Sequence, residues 1–182
     1  PDERKAMLEM RKRIAAFARL QKKAMKEIVQ RTAQGKTALV FRAVGRVGIY
    51  VPGGKAPLFS SLFMAAIPAS VTGVKEIVVC TPPQRDGRIN RYVLAAAKMC
   101  GIEKIYKIGG AQAIGAMAYG IEGALQPVDL ICGPGNAYVN AAKQEVSASA
   151  GIRIDVPAGP SEVLVVADKS ANPSFVAADM LA

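Results

Sequence analysis

Four glycine-rich turns are the segments of this sequence best suited to hold a ligand. They fall at residues 52–54 (Pro-Gly-Gly), 109–110 (Gly-Gly), 133–135 (Gly-Pro-Gly) and 157–160 (Pro-Ala-Gly-Pro), each close behind an apolar stretch. Glycine has no Cβ, so it permits positive φ and lets backbone N–H groups approach a bound molecule closely. We expect this at Gly53 and Gly110. If the apolar stretches are parallel strands, all four turns face one crevice, where open α/β sheets bind ligands.

The side chains that most catalytic sites use are scarce in this sequence. It contains no histidine, no CxxC pair and no cluster of carboxylates, so it offers no four-ligand zinc site of its own. Ser161 lacks an imidazole base that could activate it as a nucleophile. Cys80 and Cys132 end apolar stretches, and nothing near them in sequence would lower a thiol pKa, which favours structural thiols over a catalytic one. The GxGxxG fingerprint of ordinary Rossmann enzymes is also absent.

The turns must be positioned by the elements that precede and follow them. Apolar stretches alternate with helical patterns along most of the chain, which predicts βαβ units and a parallel-sheet α/β fold. Strands are predicted at 47–51, 76–80, 104–108, 128–132 and 163–166. Helices are predicted from Ser60 or Ser61 to Gly73, from Asn90 to Gly101, over 111–120, over 137–149, and onward from Asn172 as N-cap with Pro173 at the first helical position.

The N-terminal part of the chain has a different pattern. Residues 2–22 carry Met7, Met10, Ile14 and Phe17 at helical spacing, which predicts an amphipathic helix. Residues 28–32 and 37–41 read as a β-hairpin around Gly35. We therefore predict a βαβ domain over 48–157, flanked by two pieces of a second α/β domain, the first over 1–47 and the second, truncated, over 158–182.

Composition and charge narrow the class of protein further. The 182 residues are 51% hydrophobic and 21% charged, without an apolar run long enough to span a bilayer or a signal peptide, which favours a cytoplasmic protein. Three cysteines, an odd number, favour reduced thiols. Of the formal charge of +10, most lies in residues 1–36, with eleven Lys or Arg and four Asp or Glu. Because aromatic residues are only 5%, we interpret this as a solvated helix face, with no nucleic-acid or membrane partner.

Four blocks of the sequence resemble the signature segments of the histidinol dehydrogenase family. They are residues 50–58, 109–114, 133–136 and 158–164, and they occur in that family's order and near its spacing. Several multi-residue blocks in sequence are far more specific than one glycine pattern. The resemblance extends from about Ile14 to the C-terminus.

The resemblance implies a zinc-dependent enzyme that oxidises L-histidinol to L-histidine through histidinal with two NAD, in the last steps of histidine biosynthesis, and a homodimer. It makes the 48–157 domain an incomplete Rossmann-like, NAD-binding domain. It places the NAD contacts on Tyr50, Gln112 and Asn136, and a substrate contact on Ser161. Amide side chains can both donate to and accept from ribose or phosphate oxygens, and Tyr50 offers a ring and a hydroxyl.

The same resemblance implies that essential parts lie elsewhere. The zinc ligands and a Glu-His acid–base pair are expected beyond Ala182, so we expect the 182-residue chain to be an inactive fragment. Alternatives remain open: a related zinc dehydrogenase for another small alcohol, a nucleotide-binding module without catalysis, or a basic nucleic-acid binder. Taken alone, Tyr50 also suits a half-buried strand and Asn136 a helix N-cap. Lys55 suits neutralising a phosphate as well as a solvated position on the turn. Glu162 can approach the site, or an alternating strand can turn it away.

Overall fold

The structure, a computed structural model, describes residues 2–53, 58–157 and 162–181. Within these ranges the helices are α1 (Asp2–Ala24), α2 (Phe59–Thr72), α3 (Arg91–Met99), α4 (Gly110–Tyr119), α5 (Ala137–Ala150) and α6 (Pro173–Leu181). The strands are β1 (Ile28–Thr32), β2 (Gly35–Leu39), β3 (Arg46–Tyr50), β4 (Glu76–Cys80), β5 (Ile105–Tyr106), β6 (Leu130–Cys132) and β7 (Arg153–Ile154).

Strands β3 to β7 form one parallel sheet with the order β5-β4-β3-β6-β7. The chain enters at the central strand β3, builds outward through β4 to β5, and then crosses back to place β6 and β7 on the other side of β3. This matches the first five strands of a dinucleotide-binding sheet, in which the order reverses next to the first strand. The predicted parallel-sheet α/β fold is confirmed, and its topological switch point lies between β3 and β6.

Strand β3 is buried because its alternating side chains enter two separate cores. Val47, Ile49 and Val51 belong to the core that α2 and α3 cover, whereas Tyr50 belongs to the core under α4 and α5. Gly48 lets α4 approach, since a Cβ there would lie 2.6 Å from the sulfur of Met117. Helices on both faces explain why this strand is a continuous apolar run.

Helix α1 packs against α2 and closes the first core with Met7, which is 5% exposed. The Tyr92 hydroxyl on α3 donates to Glu3 at 2.6 Å, and Lys22 Nζ donates to the Val71 carbonyl at 2.8 Å. The predicted N-terminal helix and hairpin are confirmed, although β1 and β2 are exposed along their whole length. The domain division at residues 47 and 157 stays a prediction. Within the described ranges, none of the helices has the length and apolarity of a bilayer-spanning segment.

Three details of the predicted elements were wrong. Helix α2 begins at Phe59, with Leu58 as N-cap and no side-chain cap hydrogen bond, so neither serine caps it. The Phe59 ring in its first turn packs edge-on against Phe63, with 6.2 Å between centroids. Strand β5 is limited to two residues at the edge of the sheet. The described residues from 162 to 166 form no strand, since no neighbouring strand pairs with them there, and Leu164 is 87% exposed.

Candidate functional site

The carboxyl ends of β3 and β6 define the candidate site. Residues Tyr50 and Cys132 end these two strands, and Ile49 is in register with Cys132. Helices α4 and α5 begin at the same edge, and neither carries an acidic residue in its first turn. The positive ends of both helix dipoles are therefore uncompensated, which favours an anionic ligand at this edge.

Tyr50 links the central strand to the start of α4. It is 4% exposed, and its hydroxyl accepts a hydrogen bond from the backbone N–H of Gly110 at 3.0 Å. Gly110 has φ +65°, so the expected positive φ is confirmed there. A Cβ on Gly110 would lie 2.8 Å from Oε1 of Gln112, an exposed residue in the first turn of α4. The structure thus brings Tyr50 and Gln112 together around one glycine turn.

Two other glycines hold Pro82, which follows strand β4. A Cβ on Gly53 would lie 2.6 Å from Pro82 Cγ, and one on Gly109 would lie 2.6 Å from Pro82 Cβ. The turns after β3 and β5 therefore close over the proline ring from two sides. Gly53 has no positive φ, because its missing side chain instead makes room for Pro82. The other expectation for Gly53, a close backbone approach to the ligand, stays a prediction.

The turn after β6 is the tightest at this edge. Gly133 has φ +120°, and a Cβ there would overlap the carbonyl oxygen of Tyr50. A Cβ on Gly135 would overlap the Val139 side chain. Asn136 is the N-cap of α5, and its Oδ1 accepts from the Val139 N–H at 3.0 Å. That use of Oδ1 leaves the side-chain NH₂ of this exposed residue as a donor.

An ion pair between a buried lysine and a half-buried aspartate lies beside the same turn. Nζ of Lys143, on α5, donates to Oδ1 of Asp155 at 2.6 Å and to the Gly133 carbonyl at 2.5 Å. Oδ2 of Asp155, directly after β7, accepts from the Gly133 N–H at 2.8 Å. The lysine side chain is 4% exposed and the aspartate 36%. Both backbone polar groups of Gly133 are therefore held by one charged pair.

The cysteines near this edge are thiols and not thiolates at neutral pH. Burial raises the pKa of Cys80 to about 12. Burial, and then the negative charge of Asp155, raise the pKa of Cys132 to about 12. A protonated thiol is neither a nucleophile nor a metal ligand. All three cysteines are free, as predicted.

The structure also shows what sequence reasoning missed. Ser161 and Lys55 lie outside the described residues, while Glu162 is exposed. Lys143 and Asp155 were not predicted, although one signal was present: Lys143 lies four residues after Val139 and three before Val146, which puts it on the buried face of α5. For Asp155 the sequence offers only its place after an apolar strand.

A five-stranded parallel sheet of this order, with helices on both faces and glycine turns at its switch point, defines a doubly wound α/β protein. The sequence model of the histidinol dehydrogenase family matches residues 1–182. The chain belongs to this family.

Individual relatives agree with the family assignment. The chain is 49% identical to "Histidinol dehydrogenase" of Xanthomonas euvesicatoria pv. vesicatoria (strain 85-10), covering 100% of the chain and 42% of that protein. It is 58% identical to "Histidinol dehydrogenase" of Legionella pneumophila (strain Paris), over 83% of the chain and 36% of that protein. The crystal structure of histidinol dehydrogenase from Elizabethkingia anophelis has 48% identity and a TM-score of 0.84, covering 98% of this chain and 41% of that one. The chain thus spans about two fifths of the length of these relatives.

Gly133→Ala is expected to destabilise the protein more than a glycine substitution in open space. It costs the strain of a positive φ, about 1–2 kcal/mol, and also forces the Tyr50 carbonyl aside, for a total of about 2–4 kcal/mol. The control is Gly73→Ala, since Gly73 has φ +101° with no atom near its Cβ position. Denaturant unfolding measures both variants. Equal losses of unfolding free energy would show that the close approach of Gly133 to Tyr50 carries no cost.

Cys80 is expected to make stability depend on alkaline pH. Its pKa rises from an ordinary 9.0 to about 12 in the folded protein, so the unfolded chain loses the thiol proton first as pH rises. The stability that this thiol contributes is complete below about pH 8 and is lost between about pH 9 and 12, with a slope of at most about 1.4 kcal/mol per pH unit. The difference in unfolding free energy between parent and Cys80→Ala should therefore narrow over that range. For the control Cys100→Ala, at a half-buried position, the difference in unfolding free energy from the parent should narrow less. A Cys80→Ala difference that stays constant from about pH 8 to 12 would contradict the prediction.

Proposed function

We propose that this chain is the NAD-binding part of a histidinol dehydrogenase, which oxidises L-histidinol to L-histidine through histidinal with two NAD. The observation that carries the proposal is the meeting of two family signature turns with Tyr50 at the switch point of the sheet. This is where sheets of this order bind dinucleotides. Family membership and the share of the relatives that the chain spans support assigning it to part of a longer enzyme.

The chemistry of the donors at this edge fits a dinucleotide. Two helices begin there without acidic residues, so their first N–H groups suit a diphosphate. The exposed amides of Gln112 and Asn136 suit ribose hydroxyls or phosphate oxygens. When bound, NAD would supply the hydride acceptor for both oxidations.

Each predicted NAD contact is assigned a role that its surroundings support. The Tyr50 ring is buried, so its contribution is the hydroxyl, which fixes the Gly110 turn and keeps its own proton to donate. Gln112 lies at that turn and would contact one half of the dinucleotide. Asn136 caps α5 with its oxygen and would donate its NH₂ to the other half. Ser161 remains our proposed substrate contact.

Zinc does not fit the residues described here. Within residues 2–53, 58–157 and 162–181, no three His, Cys, Asp or Glu side chains are grouped so that they could hold a metal. The chain also has no histidine. We therefore propose that the zinc ligands and the acid–base pair come from sequence outside these 182 residues. Family membership also leads us to propose that the protein is cytoplasmic and forms a homodimer. Light scattering of the full-length protein would test the dimer.

Asn136→Asp is expected to weaken NAD binding while leaving the helix cap intact. Aspartate caps a helix as well as asparagine does, but it lacks the NH₂ donor and repels a phosphate. The dissociation constant for NAD, measured by calorimetry, should rise by roughly 10- to 100-fold, which corresponds to about 1–3 kcal/mol. The matched control is Asn172→Asp at the cap of α6, where Oδ1 accepts from the Ser174 N–H. An unchanged dissociation constant in the folded Asn136→Asp variant would remove Asn136 from the site.

The assay that tests the function compares full-length protein with residues 1–182 alone. Full-length protein should reduce NAD when given L-histidinol and zinc, whereas residues 1–182 should give no turnover, because they supply neither zinc ligands nor a histidine base. Sustained turnover by residues 1–182 would contradict this. Oxidation of a different alcohol by the full-length protein would favour the related-dehydrogenase alternative. Binding of NAD without any oxidation would favour the module without catalysis.

A further inference from the structure

The buried Lys143 is the charged residue whose position the fold alone does not explain. Among the described residues Lys143, at 3% exposed, is the only buried one that carries a charge. Removing an ammonium group from water is costly, and a buried ion pair seldom stabilises a fold more than apolar side chains of the same size would. The neighbours of Lys143 along the buried face of α5 are Val139 and Val146, so an apolar residue would suit the packing. The hydrogen-bond partners of Lys143 therefore indicate its role.

The ammonium group of Lys143 makes two hydrogen bonds, one to Gly133 and one to a carboxylate that itself binds Gly133. Lys143 binds the Gly133 carbonyl and Asp155 Oδ1, while Asp155 Oδ2 binds the Gly133 N–H. The N–H and the carbonyl of one residue belong to the two peptide groups on either side of its Cα. Holding both therefore fixes the φ and ψ of Gly133, whose φ of +120° is one that an unrestrained glycine leaves readily.

Gly133 also lies at the switch-point crevice, between the end of β3 and the start of α5. It lies against the Tyr50 carbonyl, and it leads within three residues to Asn136 and the first N–H groups of α5. A change at Gly133 would rotate the start of α5 relative to β3. The charges of Lys143 and Asp155 compensate each other, so neither is available as the main counter-charge for a ligand.

We propose that Lys143 and Asp155 are positioning residues that hold the Gly133 turn in the conformation in which the Asn136 end of α5 binds NAD. The proposal deepens the proposed function and rests on it. It assigns the pair an effect on affinity that is separate from its effect on fold stability. The pair acts through Gly133 and does not itself touch the dinucleotide.

The test uses the full-length protein and a double variant, Lys143→Met with Asp155→Leu, which removes both charges without leaving one unpaired. A control double variant, Arg46→Met with Glu76→Leu, removes a second ion pair at the opposite, amino edge of the sheet, where Arg46 Nη2 and Glu76 Oε2 are 2.7 Å apart. Three quantities are measured for each: the unfolding free energy, the hydrogen-exchange rate of the Gly133 amide, and the dissociation constant for NAD.

The Lys143/Asp155 variant should exchange its Gly133 amide at least about tenfold faster and bind NAD roughly 10- to 100-fold more weakly, as expected for lost charge-assisted hydrogen bonds. The control should lose stability but leave the exchange rate of the Gly133 amide and the NAD affinity within about twofold of the parent, because the two ion pairs lie at opposite edges of the sheet and share no hydrogen-bond partner. Equal NAD affinity in parent and Lys143/Asp155 variant overturns the inference, and so does an equal loss of affinity in the control.

Two further outcomes of these measurements bear on the inference. If the double variant does not fold, Lys143→Met alone replaces it, since the Asp155 side chain that it leaves is 36% exposed, and an unchanged NAD affinity there overturns the inference. If the parent itself binds no NAD, the proposed function fails first and the inference fails with it. A parent that binds NAD beside a variant that binds it equally well defeats the positioning role alone.

Discussion

The packing of strand β3 between β4 and β6 is the constraint on which the rest of the structure depends. Both neighbours pair with it in parallel, and helices bury it from both faces, so the side chains between its two ends, Val47 and Ile49, are apolar. The strand then ends in Tyr50, which is buried but carries a polar hydroxyl. Its hydroxyl holds the α4 turn and its carbonyl bounds the α5 turn. The turns on both sides of the crevice are therefore positioned by contacts with Tyr50.

The glycine turns at this edge are explained first by the approach of one chain segment to another. Gly53 and Gly109 make room for Pro82, Gly133 for the Tyr50 carbonyl, and Gly135 for Val139. A side chain at any of these positions would clash with the protein's own atoms, whether or not a ligand is bound. The crevice is therefore preorganised, since the turns that face it cannot relax without disturbing the ends of the strands.

The sequence predicted those parts of the fold that depend on local pattern. Hydrophobic periodicity located every strand of the main sheet but β7, and caps such as Asn90 and Asn136 were found because their chemistry involves neighbours within three residues. The strand order was not predictable, because it depends on which distant segments meet. For the same reason Asp155, twelve residues beyond Lys143, could not be paired with it. Residues 163–166 have the composition of a strand, but composition cannot supply the neighbouring strand that they would need.

The position of the switch point also has a consequence for the order in which the molecule folds. Strand β3 pairs with β4 across about 30 residues of chain, but with β6 across about 83. Closing the longer loop costs about 1 kcal/mol more in chain entropy, so the β3–β4 half of the sheet is favoured to assemble first. Contacts of long sequence separation slow folding. The crevice, which needs the longer closure, is therefore expected to be completed late, after the half of the sheet that serves as its template.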